Sequence, residues 1–166
     1  MIKLEDSKRN IRELYPEYMN NNSISMHFRL GDYKQKQEYH PILHHKYYHD
    51  SLSHIFHMGG QINQKTVFYF CEKEDNDEVS VTIRELTNDF PYVLFVKVDD
   101  TIEDWKQMLI MSNCHHNIIA NSSFSWWGAY FNSNPHKIVC YPSLWFGPAA
   151  TNNNTSTMFP TEWKCI

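Results

Sequence analysis

An arginine that follows a short apolar run and precedes a glycine is the first feature of this sequence with recognisable chemistry. From Ser23 to Tyr33 the chain has a strand-like pattern, in which His27 and Arg29 project to the same side. The guanidinium of Arg29 is a planar fork of donors that stays charged at any working pH and matches phosphate oxygens. Gly31 lets the backbone turn close to a ligand. The stretch predicts a phosphate site, although an arginine after a strand is also often a surface ion pair.

A second block with possible chemistry runs from Asn121 to Tyr130 and places two serines ahead of a helical pattern. Hydroxyls and unpaired backbone N–H groups at a helix start form an anion site, so Ser122 and Ser123 would suit phosphate oxygens. The alternative is that Ser122 simply caps the helix and that the tryptophan pair after it belongs to the core. A location of both blocks on the same edge of a sheet would favour the phosphate site.

The segments between these blocks alternate between short apolar runs and runs with helical spacing. Strands are predicted at about residues 24–29, 66–71, 92–98, 117–120 and 137–141. Short strands separated by helices are typical of a parallel sheet covered on both sides, so we expect a Rossmann-like α/β fold of about five strands with helices on both faces. Ligands of such sheets bind outside the carboxyl ends of the strands, where Arg29, Glu72, Asp100 and Ser122 would all lie.

The helix expected after the third strand has a possible start signal of its own. Thr101 and Asp104 have the spacing of a capping pair. The inner face of this helix would then include Ile102, Trp105, Leu109 and Ser112.

The bulk composition indicates one folded domain. The chain has 166 residues, of which 42% are hydrophobic and 20% are charged. We expect a single domain over residues 1–166, with a polar lead at 1–22 and a loop-rich tail at 142–166 that packs back. The net charge of -4 argues against nucleic acid as a partner.

The composition indicates less about location. The apolar runs are shorter than the roughly 20 residues of a membrane span, and the charged start is not a secretory signal, so we expect a soluble chain of unknown localisation. The four cysteines have no CxxC pair and are expected to be reduced and mostly buried.

Two other kinds of site can be considered. The ten histidines raise the possibility of a metal site, but adjacent histidines point in different directions and a site needs three or four converging ligands, so structural or surface histidines are favoured. A dinucleotide-binding oxidoreductase would need a Gly-x-Gly-x-x-Gly after the first strand, and the sequence has no such motif.

Taken in order, the two blocks resemble the α-1,2-fucosyltransferase family, glycosyltransferase family 11. The resemblance lies in His27-x-Arg29-x-Gly31-Asp32-Tyr33 and in the segment at 118–128, and it extends from about 23 to 163. It implies an inverting, metal-independent transfer of L-fucose from GDP-β-L-fucose to a galactoside hydroxyl, typically O2, without a cofactor. It also implies the donor-binding half of a GT-B-like enzyme, a glycan acceptor, and membrane association, which is frequent in the family.

The resemblance also implies roles for particular residues. Arg29 would hold the donor pyrophosphate and stabilise the leaving GDP, and Asp32 would orient Arg29 or the turn. The remaining donor-binding residues implied are His27, Gly31, Asn121, Ser122, Ser123, Phe124 and Asp104. Asp104, or Gln107 in another register, corresponds to an acidic residue that could read guanine. The base for the acceptor hydroxyl should be a carboxylate, and the sequence does not single one out.

The sequence also departs from the family pattern. Leu30 stands where the family often has a second arginine, and Cys71-Glu72 replaces a Ser-Asp-Asp-like segment. Family members usually carry an acceptor-side domain before the His-x-Arg motif, where this sequence has some twenty residues. The alternative is therefore a non-catalytic GDP-sugar or glycan-binding module. A homo-oligomer or a second chain would otherwise complete the acceptor cleft.

Overall fold

A six-stranded parallel sheet forms the centre of the protein, whose computed structural model describes residues 4–19, 22–59, 65–150 and 152–166. The strands are β1 (Ser23–His27), β2 (Lys65–Phe70), β3 (Val93–Lys97), β4 (His116–Ile118), β5 (Val139–Tyr141) and β6 (Lys164–Cys165). They are arranged in the order β3-β2-β1-β4-β5-β6. The predicted Rossmann-like α/β fold is confirmed, with one strand more than expected because the tail adds β6 to the edge of the sheet.

Helices cover both faces of this sheet. They are α1 (Leu4–Leu14), α2 (His45–Met58), α3 (Asn76–Asp89), α4 (Asp104–Asn113) and α5 (Ser123–Tyr130). Alternate residues of β2 explain the two layers: Val67 packs in one core with Leu52 of α2, whereas Phe68 packs in a second core with Ile11 of α1 and Ile110 of α4. Among the described residues, no helix is long and apolar enough to cross a bilayer.

Helix α1 was not expected, because the sequence pattern assigns residues 1–22 to a polar lead. Its buried stripe contains a lysine beside Ile11, and this conceals the helical period. The ammonium of Lys8 is 1% exposed and donates hydrogen bonds to the carbonyl of Phe131 at 3.0 Å and the hydroxyl of Ser133 at 2.9 Å. Residues 1–3 and 20–21 of the lead lie outside the described residues.

The predicted start and inner face of α4 are partly wrong. The side chain of Thr101 donates to the carboxylate of Asp99 at 2.8 Å and does not cap the helix, which begins at Asp104 after Glu103. Trp105 lies in the first turn of α4 and is 51% exposed, whereas Leu109, one turn further along the predicted inner face, is buried. The thiols are free, and only Cys165 is exposed, as expected.

The topology reverses direction between β1 and β4. Ile24 of β1 pairs with Val67 of β2 on one side and with His116 of β4 on the other, so successive connections leave β1 in opposite directions. In open α/β sheets this switch point leaves a crevice at the carboxyl ends of the strands, where ligands bind. The two sequence blocks that could bind phosphate follow these two strands.

Candidate functional site

A cavity of about 590 Å³ opens at the carboxyl edge of the sheet, beside the switch point. The predicted site residues that line it are His27, Arg29, Asp104, Ser122, Ser123 and Phe124. Strands β1 and β4 therefore bring the two blocks together, as the strand-end argument predicts. Gly31, Asp32 and Asn121 do not line the cavity and lie behind residues that do.

Arg29 is the cationic centre of this cavity and is held by two carboxylates. One arm of its guanidinium contacts Glu72, and the other donates to Asp32 at 2.6 Å. The ring of Tyr33 lies 5.1 Å from the guanidinium carbon. Partial burial alone would lower the pKa of Arg29, but the charges of Glu72 and Asp32 raise it, so the side chain stays charged. Asp32 thus holds one arm of Arg29 in place.

The turn that carries Arg29 is fixed by a buried carboxylate. Gly31 has φ +37°, a conformation that side chains disfavour, and its N–H donates to Asp75 at 2.8 Å. Asp75 is 2% exposed and also pairs with Lys34 at 2.8 Å. A Cβ at Gly31 would lie 2.6 Å from a carboxylate oxygen of Glu72, so the missing side chain leaves room for Glu72.

His27 contributes a neutral ring to the cavity wall. Burial, with smaller effects of the Arg29 and Lys97 charges, lowers the pKa of His27 to about 3. Its Nδ1 is buried and has no hydrogen-bond partner among the described residues. A buried polar atom without a partner is rare in folded proteins, and here it belongs to a residue that lines the cavity. His27 can therefore offer a hydrogen bond, but not a positive charge.

The start of α5 forms the opposite wall. Ser122 is the N-cap, and its hydroxyl accepts the N–H of Phe124 at 3.3 Å, so this N–H is already engaged. The N–H of Ala120 donates to the buried hydroxyl of Ser125 at 3.2 Å, which holds the loop against the helix. The N-terminal end of α5, with Ser122 and Ser123, faces the cavity with the positive end of the helix dipole.

Asn121 anchors the loop between β4 and α5 from behind. Its amide nitrogen donates to the carbonyls of Pro41 at 2.9 Å and Trp145 at 3.3 Å, and its side chain is 2% exposed. The hydroxyl of Tyr33 donates to the Asn121 carbonyl at 3.1 Å, which ties the Arg29 turn to this loop. Asn121 thus supports the loops beside the cavity and does not line the cavity itself.

Carboxylates from β2 and β3 form the third side of the cavity. Asp100 accepts hydrogen bonds from Lys97 at 2.5 Å and from Asn76 at 2.8 Å. Burial alone would raise the pKa of Asp100, but these two hydrogen bonds and the Lys97 charge lower it. Glu72 and Glu74 lie on the same side. A phosphate would therefore be attracted mainly by Arg29 and the start of α5.

The first turn of α4 closes the cavity with Asp104 and Gln107. Both line it, so either register of the resemblance puts a polar side chain there. The amide nitrogen of Gln107 donates to the carbonyl of Ile102 at 2.8 Å, and this hydrogen bond fixes the orientation of the side chain. The cavity thus has two chemically different parts. Arg29 provides a cation suited to phosphates in one part, and Asp104 and Gln107 provide acceptors for N–H groups in the other.

Sequence reasoning missed two supports of this site, Asp75 and Lys97. Asp75 follows the second strand within an acidic run, and the run conceals the residue that is buried. Lys97 ends β3, and a lysine at the end of a strand is usually solvated. Within the described ranges, no three His, Cys, Asp or Glu side chains converge as a metal site requires.

Comparisons with known proteins show the family of this chain. Residues 3–166 match the model of glycosyl transferase family 11. The O-antigen biosynthesis glycosyltransferase WbnK of Escherichia coli is 31% identical over 147 residues, which cover 87% of this chain and 44% of the relative. An alpha-1,2-colitosyltransferase of the same species is 33% identical over 153 residues, covering 87% of this chain and 48% of the relative. The chain spans just under half the length of these relatives.

The fold has a counterpart among solved structures. The E. coli ADP-heptose LPS heptosyltransferase II aligns with a TM-score of 0.51 over 98% of this chain and 43% of that chain. The sequence identity is 13%, so the likeness concerns the fold alone. It confirms the expected likeness to part of a GT-B glycosyltransferase.

Proposed function

Because the chain belongs to glycosyl transferase family 11, we propose that it is the donor-binding half of a transferase that moves L-fucose from GDP-β-L-fucose to a galactoside hydroxyl. The observation that carries the proposal is the cavity at the switch point, where Arg29 and the start of α5 line the same space. The α-1,2 linkage, the inverting course and the independence from metal are parts of the same proposal. The acceptor is a glycan, for which O-antigen saccharides are the first candidates because of the name of one relative.

Arg29 has the chemistry that departure of the nucleotide requires. As the bond between the sugar and GDP breaks, negative charge develops on the β-phosphate, and a fixed guanidinium stabilises that charge more than it stabilises the ground state. Ser122 and Ser123 would add hydroxyl donors from the α5 side, and Nδ1 of His27 would complete its hydrogen bonding on the ligand. The diphosphate would thus be bound from both sides of the crevice.

The base of the nucleotide would lie toward α4 in this arrangement. Guanine presents adjacent N–H donors on one edge, and Asp104 with the amide oxygen of Gln107 supplies acceptors. Adenine and uracil present different edges, so a preference for GDP over ADP and UDP is the expected signature of this wall. The second sugar to test is colitose, since one relative is named for its transfer.

Calorimetric titration tests the donor site directly. The native chain should bind GDP, and Arg29→Ala should weaken binding by about tenfold to a hundredfold, the value of a charge-assisted hydrogen bond to phosphate. Arg84→Ala is the matched control, because Arg84 is exposed on α3 and does not line the cavity. It should bind GDP as the native chain does.

A turnover assay then distinguishes the transferase from the alternative of a non-catalytic binding module. GDP-fucose is incubated with the native chain in the presence and absence of a galactoside, and the release of GDP and the product are followed. Transfer supports the proposed activity. GDP binding without transfer would favour the GDP-sugar-binding module, and failure of the native chain to bind GDP would refute the donor site.

A further inference from the structure

Carboxylates engage both terminal nitrogens of the Arg29 guanidinium. Its two arms are taken by Glu72 and by Asp32, the latter at 2.6 Å. Glu72 lines the cavity, whereas Asp32 contacts Arg29 from outside the lining. An incoming diphosphate that reaches Arg29 from the cavity therefore meets Glu72 as well. Like charges at this separation repel, so the two anions cannot share the guanidinium without cost.

The ion pair between Arg29 and Glu72 is of a kind that a diphosphate can replace. The side chain of Arg29 is 28% exposed and that of Glu72 is 46% exposed, so solvent screens their attraction. A diphosphate carries more charge than one carboxylate and can bind the planar fork through two oxygens. Glu72 would then lose its cation while it remained beside the phosphates.

We propose that the donor diphosphate displaces Glu72 from Arg29, and that the released carboxylate takes the proton of the acceptor hydroxyl. This inference rests on the proposed function and names the base that the sequence leaves open. The anomeric carbon of a sugar nucleotide is one oxygen away from the β-phosphate. In an inverting transfer the acceptor approaches the face of that carbon opposite the leaving oxygen, so the released carboxylate must turn away from Arg29 into the cavity that Glu72 lines.

The other carboxylates of the cavity suit this role less well. Asp100 is engaged by Lys97 at 2.5 Å and by Asn76 at 2.8 Å, and it stays in that network when Arg29 binds phosphate. Glu74 and Asp104 line the cavity too, but within the part of the chain that the structure describes neither has an ion pair with Arg29. Of these four carboxylates, Glu72 is the one that both lines the cavity and contacts Arg29, the cation proposed to stabilise the leaving GDP.

The chemical step balances without another reactant. The O–H bond of the acceptor breaks, its proton passes to the carboxylate of Glu72, and the acceptor oxygen forms a bond to the anomeric carbon. The bond from that carbon to the β-phosphate oxygen breaks, and its electron pair leaves with GDP, whose charge Arg29 stabilises. Nothing is oxidised or reduced. The donor must therefore bind before the acceptor hydroxyl is activated, because Glu72 is released only when the diphosphate is bound.

The exchange is tested by GDP affinity, measured by calorimetry on the native chain, Glu72→Gln and the exposed-site control Glu85→Gln. Removal of the competing charge should tighten GDP binding by about twofold to fivefold in Glu72→Gln, as expected for loss of a solvent-screened ion pair. Glu85→Gln should match the native chain. Weaker GDP binding by Glu72→Gln would overturn the exchange, because it would mean that Glu72 positions Arg29 for the donor.

The base is tested by turnover of GDP-fucose with the same variants. Glu72→Gln should lose about a hundredfold or more in kcat while it still binds GDP, the range expected for a missing general base. Formate should restore part of the activity of Glu72→Ala, whereas a purely structural loss would not respond to a small carboxylate. Undiminished turnover by Glu72→Gln would overturn the assignment.

Two further outcomes separate this inference from the proposed function. If the native chain binds GDP but releases none from GDP-fucose, to a galactoside or to water, Glu72 is not a working base in this chain, while the donor site stands. If the native chain does not bind GDP, both the donor site and the role of Glu72 are wrong.

Discussion

Removal of the carboxylate of Asp75 should loosen the turn that carries Arg29. Asp75→Ala deletes the acceptor of the Gly31 N–H, which it meets at 2.8 Å, and one of the two carboxylates that pair with Lys34. Lys34 still pairs with Glu78 at 2.7 Å in this variant, so the loss of its ion pair with Asp75 costs little stability. The main effect is therefore on Gly31, whose left-handed φ of +37° depends on its surroundings.

The magnitude follows from the hydrogen bond that is lost. A partly buried N–H left without its acceptor costs about 1–3 kcal/mol, and Asp75 is 2% exposed, so water does not readily replace it. For a chain of 166 residues, about 2 kcal/mol lowers Tm by about 4–8 °C. Asp75→Asn retains an oxygen for Gly31 and should lose about half as much.

Thermal unfolding and urea titration of Asp75→Ala measure this loss, with Asp77→Ala as the matched control. Asp77 is an exposed carboxylate in the first turn of the same helix, and its removal should cost less than about 1 kcal/mol. GDP affinity of Asp75→Ala should fall as well, because Arg29 loses its fixed backbone. A destabilisation no larger than that of Asp77→Ala would refute the reasoning about the turn.

Two other perturbations test the wider structure. Burial, with lesser contributions from nearby positive charges, lowers the pKa of His27 and of His116 to about 3 each, whereas an unfolded histidine titrates near 6.5. The unfolded chain alone takes up these protons as pH falls from about 6.5 to about 3, so each histidine removes about 1.4 kcal/mol of stability per pH unit. Urea unfolding of His27→Asn between about pH 6 and pH 4 should show a slope reduced by that amount, and an unchanged slope would contradict the buried neutral state. Gly147→Ala would place a Cβ 2.3 Å from the carbonyl oxygen of Glu38 and should cost about 1–3 kcal/mol in thermal unfolding, whereas a Tm equal to that of exposed Asn152→Ala would contradict this contact.

The fold and the meeting of the two blocks could be predicted from the sequence because both depend on short-range patterns. Strand-length apolar runs separated by helical spacing indicate a parallel sheet, and the carboxyl ends of its strands meet at one edge. The expected positions of Arg29 and Ser122 were therefore close in space, although Ile24 and its partner His116 are 92 positions apart in the sequence. The sixth strand, which was not predicted, lies in the tail, and its two residues are too few to show a periodic pattern.

The partners of the site residues could not be predicted in this way. Within the acidic run after β2, Glu72 contacts Arg29 and Asp75 accepts from Gly31, yet their neighbours in the sequence are acidic too. Which carboxylate is buried depends on the three-dimensional path of the turn, and local composition does not record it. The exposure of Trp105 was missed for a related reason, since helical spacing does not show that this first-turn residue stays exposed while Leu109, four residues on, is buried.

The central position of β1 also has a consequence for how the protein is made. Ile24 needs both Val67 and His116 to complete its pairing, and its side chain is 0% exposed in the finished sheet. A ribosome adds roughly 5–20 residues per second, so this strand waits for several seconds with one hydrogen-bonding edge open before β4 is available. Long-range parallel pairing is slow and leaves such edges open to association with other chains. The strand that presents Arg29 is thus made well before it is enclosed, and we expect it to depend on protection during synthesis.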